Sequence, residues 1–336
     1  GGVWAGKSAF LDFANPEVRD WFGTLYKKNL DEGISGFWND MNEPSNFPDW
    51  QLKEPIGAYH PAKTLPIDAK HTIRTSAKRS SDQSKVYTDP KTGKKSAPLK
   101  LVNEEIDHAR FHNLYGMQMA RSTFEGLKKL APDKRPFVLS RAGFSGIQRF
   151  AAVWTGDNTA TWEHLQLSLP MLLNLSVSGV PFVGADIGGY SGNPSPELFG
   201  RWMQAGALMP LFRPHSEKES IDKEPWKFGE EIEKISREAV ELRYIFLPYL
   251  YSVFREHEQT GQPVMRPLWL EYSKDYKSYL IEDQFLVGRD LMAAPVIREG
   301  QRQRSVYFPA GDDWRNWWTG EIHKGGTSAQ IDAPLG

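Results

Sequence analysis

The chain of 336 residues has no cysteine. Disulfides, thiolate metal sites and a cysteine nucleophile are thereby excluded, and the absence suits a cytoplasmic location, which is the one expected. No apolar run reaches the roughly 18 residues that mark a membrane span, so no membrane partner is expected. Charge of one sign is also missing: 41 Lys and Arg face 42 Asp and Glu, a formal net charge of -1. No basic field is left over to attract nucleic acid. No Walker loop is present, and "AGFSG" misses the G-x-S-x-G pattern because Ala142 holds its first position. His108 and His112 stand in H-x-x-x-H, yet no Glu follows His108, so the zincin pattern fails and no metal is expected. A signal-peptide pattern is lacking too, and the abrupt opening "GGVWAGKSAFLDF" reads as a fragment whose upstream part lies elsewhere.

What is present is a folding chain rich in aromatics. Hydrophobic residues make up 40% and charged residues 25%, as in a packed globular protein, and there are 12 Trp. Aromatic faces fill cores and also stack on the C–H faces of sugar rings. Short apolar runs end in a polar or charged residue: "ISGFWND", "RPFVLSR", "FAAVWTGD" and "VPFVGAD". Helical stretches separate most of them. Residues 15–30 start with Asn-Pro, a cap and first-turn pair. Residues 104–130 and 165–177 carry apolar residues at helical density, and 225–259 reads as a long helix bent or broken near Pro248. Strands alternating with helices predict an α/β fold with a parallel sheet buried on both sides. About six strand candidates arise if "PVMRPLWL" and "LMPLF" are included, whereas a closed (β/α)8 TIM-type barrel needs eight, so an N-terminally incomplete barrel is expected. It is expected over residues 1–282, with a long insertion at 48–103 that reads as a solvated excursion or as a wall of the substrate cleft. Residues 283–336, with "DQFLVGRDLMAAPVI", "RSVYFPAG" and "WRNWWTGEI", read as the start of an antiparallel β-sandwich domain.

Barrels of this kind place their chemistry at the carboxyl ends of strands. Asp40, Arg141, Asp157 and Asp186 each close one of the apolar runs. Asp40 and Asp157 form the best acid pair, each with a Trp just upstream, Trp38 and Trp154, to supply an apolar wall. Either Asp alone also suits a helix cap or turn. Arg141 offers a fork for a carboxylate or for ring hydroxyls, with a structural ion pair as its plain alternative. Asp186, before two glycines in "GADIGGY", can accept from vicinal hydroxyls, and His215 in "FRPHS" can donate to another. Carboxylates, one Arg, one His and many aromatics fit glycoside hydrolysis best.

"GFWNDMNEPSNF", "RPFVLSRAGFSGIQRFAAVWTGDNTATWEHL", "PFVGADIGGY" and "LMPLFRPHS" together resemble glycoside hydrolase family 31, the α-glucosidases, and the resemblance runs the length of the chain. It implies a retaining α-glucosidase that removes terminal non-reducing α-linked glucose from oligosaccharides of the maltose and isomaltose type. Asp40 then matches the nucleophile and Asp157 the general acid/base. Arg141, Asp186 and His215 match residues that bind glucose hydroxyls. Trp38, Met41 and Trp154 line the first subsite, with Arg213 in support, Tyr190 at an aromatic rim, Trp4 as a wall and Glu43 in a supporting role. No metal and no organic cofactor is implied. The partner expected is an α-linked gluco-oligosaccharide, with homo-oligomerisation of the full-length protein left open. Three other readings stay open: another α-glycosidase of the family such as an α-xylosidase, a non-catalytic sugar-binding fragment, and a metal-dependent phosphoesterase using Asp40, Glu43, Asp186 and His215.

Overall fold

The computed structural model describes residues 2–3, 6–7, 9–44, 70–79, 87–88, 95–96 and 99–336, and the chain divides into two units, Gly1–Ala151 and Ala152–Gly336. Trp4 and residues 45–69 lie outside the described residues.

The first unit begins with an antiparallel pair, β1 (Gly2–Val3) and β2 (Gly6–Lys7). Helix α1 (Pro16–Thr24) starts where the Asn-Pro pair places it: the Asn15 side chain accepts from the Glu17 N–H at 2.9 Å, and Pro16 fills the first turn, where no donor is needed. The helix expected over 15–30 is interrupted, however, and resumes as α2 (Lys27–Asp31). Tyr26 at the break explains the interruption. Its ring packs edge-on against Phe22 and Phe37, and its hydroxyl pairs with Thr123 Oγ1 at 2.9 Å. Strand β3 (Gly36–Asn39) follows.

The insertion holds more structure than expected. Strands β4 (Lys70–Arg79) and β7 (Leu99–Asp107) form an antiparallel ribbon with an irregularity between Ser76 and Lys78, and β5 (Tyr87–Thr88) pairs with β6 (Lys95–Ser96). Cross-strand pairing thus claims Glu104–Asp107, and helix α3 runs His108–Leu130, four residues later than its apolar spacing suggested. Helix α3 packs on α1 through two glycines. A Cβ built on Gly126 would lie 2.4 Å from the Gly23 Cα, so only glycine permits this approach. Phe13, Ala14, Phe111 and Tyr115 form a buried cluster beside it. Strand β8 (Phe137–Ser140) closes the crossover and pairs parallel with β3, Gly36 opposite Phe137 and Asn39 opposite Ser140.

Of the H-x-x-x-H pair, His108 joins a buried hydrogen-bonded chain, while His112 Nδ1 pairs with Asn113 Oδ1 at 3.1 Å. His108 Nδ1 lies 2.8 Å from His71 Nε2, and His71 Nδ1 lies 3.0 Å from Asp12 Oδ1. Asp12 also accepts from the Thr72 N–H at 2.8 Å. The arrangement ties β4 of the ribbon to the start of α3.

The second unit opens with β9 (Ala152–Trp154), helix α4 (Trp162–Val177) and β10 (Val183–Gly184), the two strands pairing parallel. Thr161 caps α4 by accepting from the His164 N–H at 3.3 Å, and Leu165, Leu169, Leu172 and Leu173 form its buried stripe. Helix α5 (Pro196–Gly206) is capped by Ser195 and buries Leu198, Phe199, Trp202 and Met203. "LMPLF" is a turn and not the strand expected, since Pro210 and Pro214 lack the N–H that a ladder requires. Only an isolated bridge joins Pro214 to Ile187. Helix α6 (Glu230–Thr260) passes unbroken through Pro248. An internal proline costs about 3 kcal/mol, and burial of Ile232, Ile235, Ala239, Leu250 and Val253 on the same helix outweighs it at ~1.5–3 kcal/mol per large side chain.

"PVMRPLWL" also departs from expectation. It forms β11 (Met265–Pro267) and a short helix α7 (Leu268–Glu271), and β11 pairs antiparallel with β12 (Phe285–Val287), which pairs with β13 (Leu291–Ala293). It therefore belongs to the antiparallel region and not to a barrel. Strands β14 (Gln303–Phe308), β15 (Trp314–Arg315), β16 (Ile322–His323) and β17 (Thr327–Asp332) complete the chain as antiparallel pairs β14–β17 and β15–β16.

Candidate active site

The acids stand just past parallel strands. Because Asn39 is opposite Ser140, the next residue on each strand, Asp40 and Arg141, emerge side by side, with the Arg141 N–H donating to the Asn39 carbonyl at 3.1 Å. Arg141 Nη1 lies 3.1 Å from Asp40 Oδ1. Its Nε and Nη2 donate to the two Glu43 oxygens at 2.6 and 3.1 Å, a fork closed on a carboxylate. Asp40 Oδ1 also accepts from the Met41 N–H at 2.7 Å. Met41 holds φ at 55°, a left-handed conformation that non-glycine residues rarely take and that is characteristic of functional sites. Trp38, two residues before Asp40 and 44% exposed, offers its ring on the same side of the strand. Glu43 thus shares the Arg141 guanidinium with Asp40.

Asn42 is the residue of this unit that sequence reasoning missed. It is buried, its amide nitrogen donates to Ser140 Oγ at 2.8 Å and to the Gly116 carbonyl at 3.3 Å, and its oxygen accepts from the Ala142 N–H at 3.0 Å. It clamps the Asp40–Glu43 turn onto α3 and the end of β8. Only a side-chain amide supplies both donor and acceptor for this.

The second unit carries its own set of strand-end residues. Trp154 ends β9, and Asp157 follows Gly156, whose φ of 81° turns the chain out of the strand. Asp186, two residues past β10, is 1% exposed and accepts from Arg213 Nη2 at 2.5 Å. A carboxylate buried that deeply needs such a partner. The Arg213 guanidinium also sits 5.4 Å from the Trp154 ring centroid, a cation–π contact. Tyr190 and His215 hold their rings 5.4 Å apart. Burial, and then the charge of Arg213, push the His215 pKa below its ordinary value, against the pull of nearby Asp157. His215 is thus neutral at pH 7 and able to donate one hydrogen bond and accept another.

Asn158 does here what Asn42 does above, and it too was missed. Its amide nitrogen donates to the Asp186 carbonyl at 2.9 Å and its oxygen accepts from the Tyr190 N–H at 2.9 Å. Gly189 makes the approach possible, since a Cβ there would lie 2.3 Å from the Ala160 nitrogen. The one available signal was the position of each Asn, next to or two residues from a strand-end acid. Of the expected site residues, the first unit gathers Trp38, Asp40, Met41 and Arg141. The second gathers Trp154, Asp157, Asp186, Tyr190, Arg213 and His215. Trp4 lies outside the described residues.

Acids at the carboxyl ends of parallel strands, with a Trp upstream and Arg partners, define the class as a β/α-barrel fold with its polar groups at the strand ends. The chain belongs to glycosyl hydrolase family 31: the family's TIM-barrel domain matches residues 1–253 and its C-terminal domain residues 261–336. It is an α/β chain in which barrel strands and helices are followed by an antiparallel sheet domain. Alpha-glucosidase 2 of Bacillus thermoamyloliquefaciens is 45% identical over 335 residues, covering 100% of this chain and 37% of that protein. A probable glucan 1,3-alpha-glucosidase of Oryza sativa subsp. japonica is 40% identical, covering 99% of this chain and 32% of that one. The crystal structure of a Tris-bound glucosidase II alpha subunit superposes with a TM-score of 0.82 at 33% identity, over 100% of this chain and 32% of that one. The chain spans about a third of the length of these relatives.

Proposed function

We propose that the intact protein is a retaining α-glucosidase that cleaves terminal non-reducing α-linked glucose from short oligosaccharides of the maltose and isomaltose type. In this reading an Asp40 oxygen attacks the anomeric carbon as the glycosidic C–O bond breaks, and Asp157 gives its proton to the leaving oxygen. Water then attacks the glucosyl ester. Its proton passes to Asp157, its oxygen joins the anomeric carbon, and Asp40 is released as carboxylate. Asp186, Arg213 and His215 bind glucose hydroxyls, as does Arg141, and Trp38, Met41 and Trp154 line the subsite.

The observation that carries the proposal is the fixing of Asp40. Met41 N–H and Arg141 both hold Oδ1, on the strand end where a barrel enzyme keeps its reactive groups. An oriented carboxylate beside an exposed indole is what a nucleophile facing a pyranose ring requires. The family and the activity named for the relatives add support. The test offers the intact protein a panel of α- and β-linked glucose disaccharides and follows the product anomer by NMR. Release of α-glucose first, from α-linked substrates alone, is expected. Initial release of β-glucose, or turnover of β-linked substrates, refutes the mechanism.

A further inference from the structure

Arg243 lies in the middle of α6, far along the chain from every residue of the site. Its guanidinium ends on three backbone carbonyls. Nη1 donates to Ala207 at 3.1 Å and Met209 at 2.5 Å, and Nη2 donates to Pro210 at 2.8 Å. Among the described residues Arg243 makes no ion pair, so its side chain is given over to main-chain acceptors. Burial lowers its pKa to about 10, which leaves it charged at neutral pH.

The three carbonyls belong to the turn that leaves α5. The last carbonyls of a helix have no donor within it, and Ala207 and Met209 are 0% and 1% exposed, so water does not satisfy them. A cation at a helix carboxyl end is favourable in any case. The turn leads directly to Arg213 and His215. Pro210 and Pro214 remove two N–H groups from it, which rules out a strand ladder as its support. The far end is instead held by the Leu211 N–H on the Val183 carbonyl at 3.2 Å and the Ile187 N–H on the Arg213 carbonyl at 3.2 Å. The near end is held by Arg243.

We propose that Arg243 is a positioning residue for glucose binding, setting the segment 207–215 so that Arg213 meets Asp186 and His215 meets Tyr190. The inference rests on the α-glucosidase reading above and extends it to a residue that touches no sugar. A planar fork with several donors suits three acceptors spread along a turn. The single ammonium of a lysine does not replace it.

The experiment compares wild type, R243M and R243K of the intact protein with p-nitrophenyl α-glucoside as substrate and glucose as inhibitor. R201M is the control. Arg201 is a buried arginine bound to the carbonyls of Gln301, Ala333 and Pro334, away from the site segment. R243M is expected to raise KM and weaken glucose inhibition by about tenfold, with kcat within roughly threefold, the pattern of lost uniform binding. R243K is expected to fall between R243M and wild type. R201M is expected to lower Tm and leave KM unchanged. If R243M does not fold, R243K is held to the same criterion. A KM and a glucose inhibition constant within about twofold of wild type, whatever happens to Tm or kcat, overturn the proposal. Wild type without activity on the substrate refutes the α-glucosidase reading itself, and this inference with it. Active wild type with an unaffected arginine variant removes this inference alone.

Discussion

Asp40 and Asp157 have different work in the proposed reaction, so their loss should be told apart by substrate. Asp40→Ala removes the atom that bonds to the anomeric carbon, and turnover of every glucoside should drop by roughly 10⁴-fold or more. Added azide should then restore turnover and yield β-glucosyl azide, because a small anion enters from the face the carboxylate left. An Asp40→Ala protein with near-normal kcat removes Asp40 from the mechanism. Asp157→Ala deletes a proton donor, and kcat/KM on maltose should fall by about 10²–10⁴-fold. Turnover of α-glucosyl fluoride, whose leaving group needs no proton, should change far less, and equal losses on both contradict the acid role. The strand-end acids were legible in sequence because a polar residue that closes an apolar run has a position on a parallel sheet. Asn42 and Asn158 were not, since an amide beside an acid reads as a turn until the backbone groups it bridges are seen. The partner of Asp186 was hidden for the same reason: 27 residues separate Arg213 from it, and no local pattern joins them.

At the level of elements, the tie between the ribbon and α3 has a pH dependence with a defined sign. His108 is 0% exposed, tilted against His71 and edge-on to His112, and burial, followed by the charges of those rings, pulls its pKa from 6.5 to about 4. The folded protein therefore binds fewer protons than the unfolded chain between these values. The stabilisation is fully present above pH 6.5 and is lost as pH falls toward 4, on the order of 3 kcal/mol in all. Denaturant titration of wild type and H108Q should show stability falling steeply over that window in wild type and more gently in the variant. Identical slopes would remove His108 as the cause. The helix contact makes a second demand. Gly126→Ala forces a methyl against Gly23 and should cost about 1–3 kcal/mol or more in unfolding free energy, with activity per folded molecule unchanged. Neither contact was readable from the sequence. His71 lies inside the insertion and His108 just beyond it, and the ribbon between them rests on cross-strand pairing that overrode the helical spacing of Glu104–Asp107. The parallel strands β3, β8, β9 and β10 were readable, because each is a short apolar run with a polar stop. "PVMRPLWL" has the same local look, and only its antiparallel partner, β12, shows which sheet it serves.

Across the whole molecule the charges nearly cancel, 41 against 42, and the balance is also local at the candidate site. Arg141 lies against Asp40 and Glu43, and Arg213 against Asp186. These are the carboxylates a metal-dependent phosphoesterase would need, and a divalent ion could bind at either place only by displacing a guanidinium group. A guanidinium and a divalent cation compete for the same carboxylate oxygens, and the fork on Glu43, with both oxygens engaged, is the costlier to open. A glycosidase needs no such exchange, since its acids act on carbon and on a proton. The intact protein dialysed against EDTA should therefore keep its kcat and KM on α-glucosides, and added Mg²⁺, Mn²⁺ or Zn²⁺ should not raise kcat. Substrate binding should also be nearly independent of salt, because a neutral sugar feels no long-range field from a chain of net charge -1. Activity lost to the chelator and returned by one of these ions would show that the arginines yield to a metal, and the carboxylate pair would then have to be read as a metal cradle.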